Sequence, residues 1–238
     1  MYGWRGRIGL IIPSSNTTME PEFWIMAPEG VSVHTVRVPL RNVTEEELSR
    51  MHSYVKDAST LLSDANVDVI VFGCTSGSFI GGLGYDLKII REIEEATNIP
   101  AVTTSTAVVE SLRALNAKSI GLATPYIDEV MLKEKEFLEE NGFRVLSFRG
   151  LGIKENTRIG SLGPETAYKI AKDTYVDGVD VLFISCTNFR TIEIIDDLES
   201  DLGVPVITSN QASMWAALRK LGIKEHYTMF GKLLKECL

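Results

Sequence analysis

The chain has 238 residues, of which 45% are hydrophobic, 24% charged and 8% aromatic, and it carries a net charge of −8. These values describe a globular protein and exclude disordered and fibrous classes. No apolar run approaches the ~20 residues of a membrane span, and without a basic block nucleic acid is not an expected partner.

Apolar, β-rich runs alternate with amphipathic segments along the whole chain. Strands are predicted near Arg7–Ile12, Val31–Val38, Val67–Phe72 and Ala101–Thr103, and again near Ser119–Ala123, Arg144–Arg149, Val179–Ser185 and Val204–Thr208. Most lack polar alternation, as parallel strands covered on both faces do. Thr44 and Glu47 resemble a capping box, and Leu48, Met51, Val55, Ala58 and Leu62 follow at the spacing of one helix face. Further helices are expected at Asp86–Ala96, Ala107–Asn116, Asp128–Asn141, Glu165–Val176, Thr191–Asp201 and Ala212–Leu221. Repeated βα units with short right-handed crossovers imply an α/β protein with flavodoxin-like parallel sheets.

The order of these elements repeats. Val67–Thr75 and Val179–Thr187 are near-copies that each end in Cys-Thr, and the offset of 112 residues between Cys74 and Cys186 also carries Ile8–Pro13 onto Ile120–Pro125. A shared offset in two separate matches points to internal duplication. The expected units are 1–104 plus 209–238 and 105–208, because the repeated strands at Ala101–Thr103 and Val204–Thr208 are where the chain crosses between halves.

Ligands of open α/β sheets bind beyond the carboxyl ends of the strands, where both cysteines fall. A cysteine ending one buried strand is ordinarily a small core hydrophobe. Its recurrence in the second half points instead to a cleft with one thiol on each wall. Thr75 and Ser76 after the first cysteine, and Thr187 and Asn188 after the second, offer backbone amides for a carboxylate or oxyanion, and a helix N-terminus there would favour thiolate. The polar loop after the first strand contributes Ser14 and Asn16 as anion-binding groups, and its counterpart places Tyr126. Asn156 sits in a polar loop able to hang over the cleft. The segment Gly77–Gly84 lacks the spacing of a phosphate loop and reads as a turn or cleft wall. Cys237 lies outside the repeat and reads as incidental.

Only three cysteines occur, unpaired in pattern, so reduced thiols are expected rather than a disulfide framework. His34, His52 and His226 are dispersed, and no metal site is expected. The polar, basic stretch Met1–Arg7 has no signal-peptide core, which makes a cytoplasmic location the default expectation.

Taken together, Ile8–Thr17, Cys74-Thr75-Ser76 and Cys186-Thr187-Asn188 resemble the maleate cis–trans isomerase branch of the aspartate/glutamate racemase superfamily over essentially the whole chain. The resemblance implies two flavodoxin-like domains related by a pseudo-twofold axis, an active site between them, and neither cofactor nor metal. By position, Cys74 looks like the nucleophile and Cys186 like its partner acid, while Asn16, Tyr126 and Asn156 look like groups that clamp the carboxylates of a small dicarboxylate substrate. Relatives also make a homo-oligomer, dimer or tetramer, the expectation. Arylmalonate decarboxylases resemble the chain but carry glycine in place of the first cysteine. A racemase of an acidic amino acid and a non-catalytic dicarboxylate-binding protein are the remaining alternatives.

Overall fold

A computed structural model describes residues 1–238. All eight expected strands form. In the first half these are β1 (Gly6–Pro13), β2 (Val31–Val38), β3 (Val69–Phe72) and β4 (Ala101–Thr103), in the second β5 (Ser119–Thr124), β6 (Arg144–Gly150), β7 (Val181–Ile184) and β8 (Val206–Thr208). They make two four-stranded sheets of order β2-β1-β3-β4 and β6-β5-β7-β8, with every pairing parallel. The two orders are the same permutation, as duplication requires. The central strands β3 and β7 are buried throughout, whereas β6 at a sheet edge is largely open to solvent. Continuous apolar sequence in the first pair follows from helices covering both faces.

The helices of the first half are α1 (Met19–Met26), α2 (Glu45–His52), α3 (Val55–Ser63), α4 (Thr75–Phe79), α5 (Tyr85–Thr97) and α6 (Thr104–Ala114). Those of the second are α7 (Asp128–Glu140), α8 (Asn156–Gly160), α9 (Pro164–Thr174), α10 (Ile195–Leu202), α11 (Ser209–Lys220) and α12 (Gly231–Glu236), with a 3-10 turn at Ile192–Ile194. The apolar face expected from Leu48 to Leu62 is buried, but it belongs to two helices, broken at Ser53–Tyr54. The Thr44 capping box is only half formed. Thr44 Oγ1 accepts the Glu47 amide at 3.4 Å, while the Glu47 carboxylate turns to the amides of Arg41 and Asn42 at 2.8 and 2.9 Å. A complete box occurs at Thr208 and Gln211, where it starts α11.

Helix α11 packs against α6, against α1 and on β3 and β4 of the first half, whereas α12 packs on β8 and α10 of the second. The two halves are also tied by a strap on the far side. Asn42 and Glu155 form an antiparallel bridge, the Val43 amide donates to the Lys154 carbonyl at 2.8 Å, and the Asn156 amide donates to the Arg41 carbonyl at 3.0 Å. No helix is long and apolar enough to cross a membrane.

Candidate active site

Each cysteine stands immediately beyond a buried strand end. Cys74 is the N-cap of α4, and its Sγ accepts the Gly77 amide at 3.3 Å with Ser76 Oγ 3.9 Å away. A Cβ at Gly77 would stand 3.0 Å from Cys74 Sγ and 2.4 Å from the Met51 methyl, which would have to move aside. Cys186 accepts the Asn188 amide at 3.4 Å, and its backbone has φ 102°, a region L-residues enter at a cost of about 1–3 kcal/mol. No helix follows Cys186 directly, so the duplicated cysteines sit in unlike turns.

One hydroxyl joins the two cysteine loops. Ser209 Oγ, at the start of α11, accepts from Thr75 Oγ1 at 2.9 Å and from the Cys186 amide at 3.0 Å. Thr187 Oγ1 donates to the Gly73 carbonyl at 3.3 Å and accepts from Asn16 Nδ2 at 3.0 Å, a second stitch between halves. Replacing Ser209 by alanine leaves two buried donors without an acceptor and is expected to lower stability by about 2–6 kcal/mol, at about 1–3 kcal/mol per unpaired group. Urea denaturation checks it, and an unchanged midpoint would show that the loops are held by other contacts.

Asn16 uses Oδ1 to cap α1, accepting the Thr18 and Met19 amides at 3.0 Å each, so its amide group is fixed with Nδ2 aimed at Thr187. Asn156 is the first residue of α8 rather than part of a loose loop, and its Nδ2 donates to Ser15 Oγ at 2.9 Å. The Asn188 side chain accepts from the Thr17 amide at 2.8 Å and donates to the Asn156 carbonyl at 2.7 Å. Asn16, Asn156, Thr187, Asn188 and both cysteines therefore form one buried group, together with Thr75, Ser76 and Tyr126. Ser14 is placed apart from it, exposed and bonded to the Leu40 backbone. The segment Gly77–Gly84, expected to be a turn or cleft wall, is partly the end of α4.

Burial dominates the electrostatics. It pushes the Cys74 thiol up to about 11 against the opposing Gly77 and Ser76 hydrogen bonds. Cys186 is pushed up to about 12, also by burial, with the Tyr126 hydroxyl and the Asn188 amide opposing and Cys74 adding to the rise. Tyr126 lies well above its ordinary value for the same reason, and it feels both sulfurs. The expectation that a helix N-terminus would favour thiolate is thus overturned for the closed site: α4 is a single short turn, and desolvation outweighs it. The same mutual influence places the two thiols and the phenol about one shared space.

That space is closed off from solvent, with Cys74 4% and Cys186 5% exposed. A surface cavity of about 570 Å³ lies elsewhere, against β6 and α9. A cavity of about 460 Å³ lined by Ser14, Ser15, Arg41, Asn42, Glu155 and Thr157 opens on the strap. Sequence reasoning missed Ser209, Ser185 and Glu134. Ser209 follows the repeated strand ending in Thr208, a signal that was available; Glu134 falls at the repeat offset from Glu22.

Duplicated α/β halves whose two buried cysteine loops are joined through Ser209 define a two-cysteine enzyme of the aspartate/glutamate racemase superfamily. The chain belongs to the arylmalonate decarboxylase family, whose model matches residues 8–234. It is 32% identical to a maleate isomerase of Pseudomonas putida, with 96% of each chain covered. Its structure superposes on a maleate isomerase of Pseudomonas putida S16, a cysteine-to-alanine variant solved with maleate, at a TM-score of 0.92 and 29% identity, covering 96% of this chain and 97% of that one. A Nocardia farcinica maleate cis–trans isomerase, a cysteine-to-serine variant with a covalently bound succinylcysteine intermediate, superposes at 0.93 with 27% identity and coverage of 97% and 98%.

Proposed function

We propose that the protein is a maleate isomerase that converts the cis diacid to fumarate by cysteine-based covalent catalysis. The observation that carries this reading is the convergence of Cys74, Cys186 and Tyr126 on one enclosed space, in a chain that keeps a cysteine at both repeat positions.

The chemistry requires a temporary single bond between the two alkene carbons. The Cys74 thiolate attacks one of them, a C–S bond forms, and the π electrons move onto the neighbouring carbon and into its carboxylate. Cys186 gives its proton to that carbon and is left as a thiolate, held by the Asn188 amide and the Tyr126 hydroxyl. Rotation about the former double bond brings the carboxylates trans. Cys186 then takes its proton back, the C–S bond breaks and fumarate leaves with Cys74 restored as thiolate. Amide and hydroxyl donors aimed at the charged carboxylate supply the oxyanion site, each worth about 3 kcal/mol in such settings. Asn16 and Asn156 are the groups suited to grip the carboxylates, each fixed by its own hydrogen bonds.

Cys74 is assigned the nucleophile by its position in the family resemblance, and its thiol is raised less than that of Cys186. The unpaired cysteines support a reducing, cytoplasmic setting, and the family likeness supports a homo-oligomer. Incubating the protein with maleate in deuterated water is expected to yield fumarate. Failure to form fumarate, with α-deuterium exchange into L-aspartate instead, would replace the isomerase by a racemase.

A further inference from the structure

Glu22 and Glu134 occupy the same place in the repeat, 112 residues apart, on the helix that follows the first strand of each half. Both are buried, at 3% and 1% exposure, but their surroundings differ. Glu22 Oε1 accepts the Thr191 and Ile192 amides at 2.8 and 3.3 Å, and its Oε2 accepts Asn210 Nδ2 at 2.6 Å. Three donors meet that carboxyl. Only one meets Glu134: Ser185 Oγ donates to Oε1 at 2.5 Å, and Oε2 has no partner. A buried carboxylate is tolerated when donors surround it, and a carboxyl without them keeps its proton.

Ser185 immediately precedes Cys186, whose backbone holds φ 102°. The turn is pinned from one side by Glu134 through Ser185 and from the other by Ser209 through the Cys186 amide. We propose that Glu134 is a positioning residue that works in its neutral form, fastening Ser185 so that Cys186 keeps its strained turn. It also keeps negative charge away from the Cys186 thiol and the Tyr126 hydroxyl while a dianion fills the site. This inference rests on the two-cysteine isomerase reading.

The groups that face Glu134 make its charge state matter. Burial is the main reason that Cys186, from the loop after β7, and Tyr126, from the loop after β5, lie high, and charge on Glu134 raises both further. Helix α4, packed against α7, brings no ionisable side chain over Thr75–Phe79. From β6, Arg144 is engaged by Ser119 Oγ and Arg149 by the Asp173 carbonyl, while Lys133 and Lys135 of α7 pair with Glu45 and Glu139. No cation is therefore at hand to balance a Glu134 carboxylate, and burial raises its pKa to about 8. Ionised Glu134 would oppose Cys186 just when that sulfur must give up its proton.

The test is the pH dependence of kcat/KM for maleate in wild type, Glu134→Gln and Glu134→Ala, with difference infrared spectroscopy of the protonated carboxyl stretch. Turnover needs Cys74 ionised and Glu134 neutral, so the wild-type rate is expected to rise with pH and level off above about 8. Glutamine keeps an acceptor for Ser185 and cannot ionise. Glu134→Gln is expected to stay within about threefold of wild type at neutral pH and to keep rising where wild type levels, while Glu134→Ala loses roughly tenfold in kcat with KM unchanged. Levelling that persists in Glu134→Gln, or a glutamine variant no better than the alanine one, would overturn the proposal. In the infrared, wild type is expected to lose one protonated-carboxyl band as pH rises through about 8, a band missing from Glu134→Gln. A wild-type protein without that band at neutral pH also overturns it, whether or not maleate is turned over. A protein that shows the band but leaves maleate unchanged removes the isomerase reading and not the neutral Glu134.

Discussion

Replacing Cys74 by alanine is expected to abolish conversion of maleate to fumarate, by about 10⁴-fold or more, the scale on which deleting an enzyme nucleophile acts. The fold should survive. The Cys74 side chain makes one backbone contact, as a helix cap accepting the Gly77 amide at 3.3 Å, and α4 is held independently by Ser78, whose hydroxyl donates to the carbonyls of Cys74 and Thr75 at 2.9 Å each. Serine at the same position offers an oxygen that can cap but is a much poorer nucleophile toward an activated alkene. Loss of turnover in both variants, with circular dichroism and unfolding midpoint close to wild type, would place the chemistry on this sulfur. Activity near wild type in either would remove Cys74 from the reaction.

The second large effect concerns Cys186. Its replacement by serine is expected to separate bond formation from bond breaking, because the hydroxyl cannot take back the proton at the rate a thiol can. Turnover should fall by about 10²–10⁴-fold, the usual contribution of a positioned acid or base. A fraction of the protein should then carry a mass increase equal to one maleic acid on Cys74, detectable by intact-mass spectrometry and peptide mapping. Adduct on no residue, together with unimpaired turnover, would show that Cys186 is a packing residue. The wild-type protein should show no such accumulation.

The strand pattern and the paired sulfurs were legible because burial on both sheet faces leaves long apolar runs, and because duplication wrote the same nine-residue signature twice. Several helices were not. Met19–Met26 has its two glutamates and Pro21 in the first turn and no clear apolar face, Thr75–Phe79 and Asn156–Gly160 are single turns without a repeat of faces, and Gly231–Glu236 has only two buried leucines. The break at Ser53–Tyr54 left no mark, since neither residue is glycine or proline and the apolar face runs on across it. Glu134 falls at the repeat offset from Glu22, but its burial was not legible. In an amphipathic helix a glutamate reads as solvent-facing, and only the packing of α7 against α4 and β6 buries it. How strongly burial opposes the thiolate was not legible, because sequence shows which amides are near a sulfur but not how thoroughly water is removed.

The strap formed by Asn42, Val43, Lys154 and Asn156 has a consequence for the residues around the sulfurs. Asn156 gives its backbone amide to Arg41 in the strap, while its side chain holds Ser15 and its carbonyl accepts from Asn188. Slack introduced at Arg41–Val43 is therefore transmitted through one residue to the asparagine cluster, which links the far loop mechanically to the place where the diacid is expected to sit.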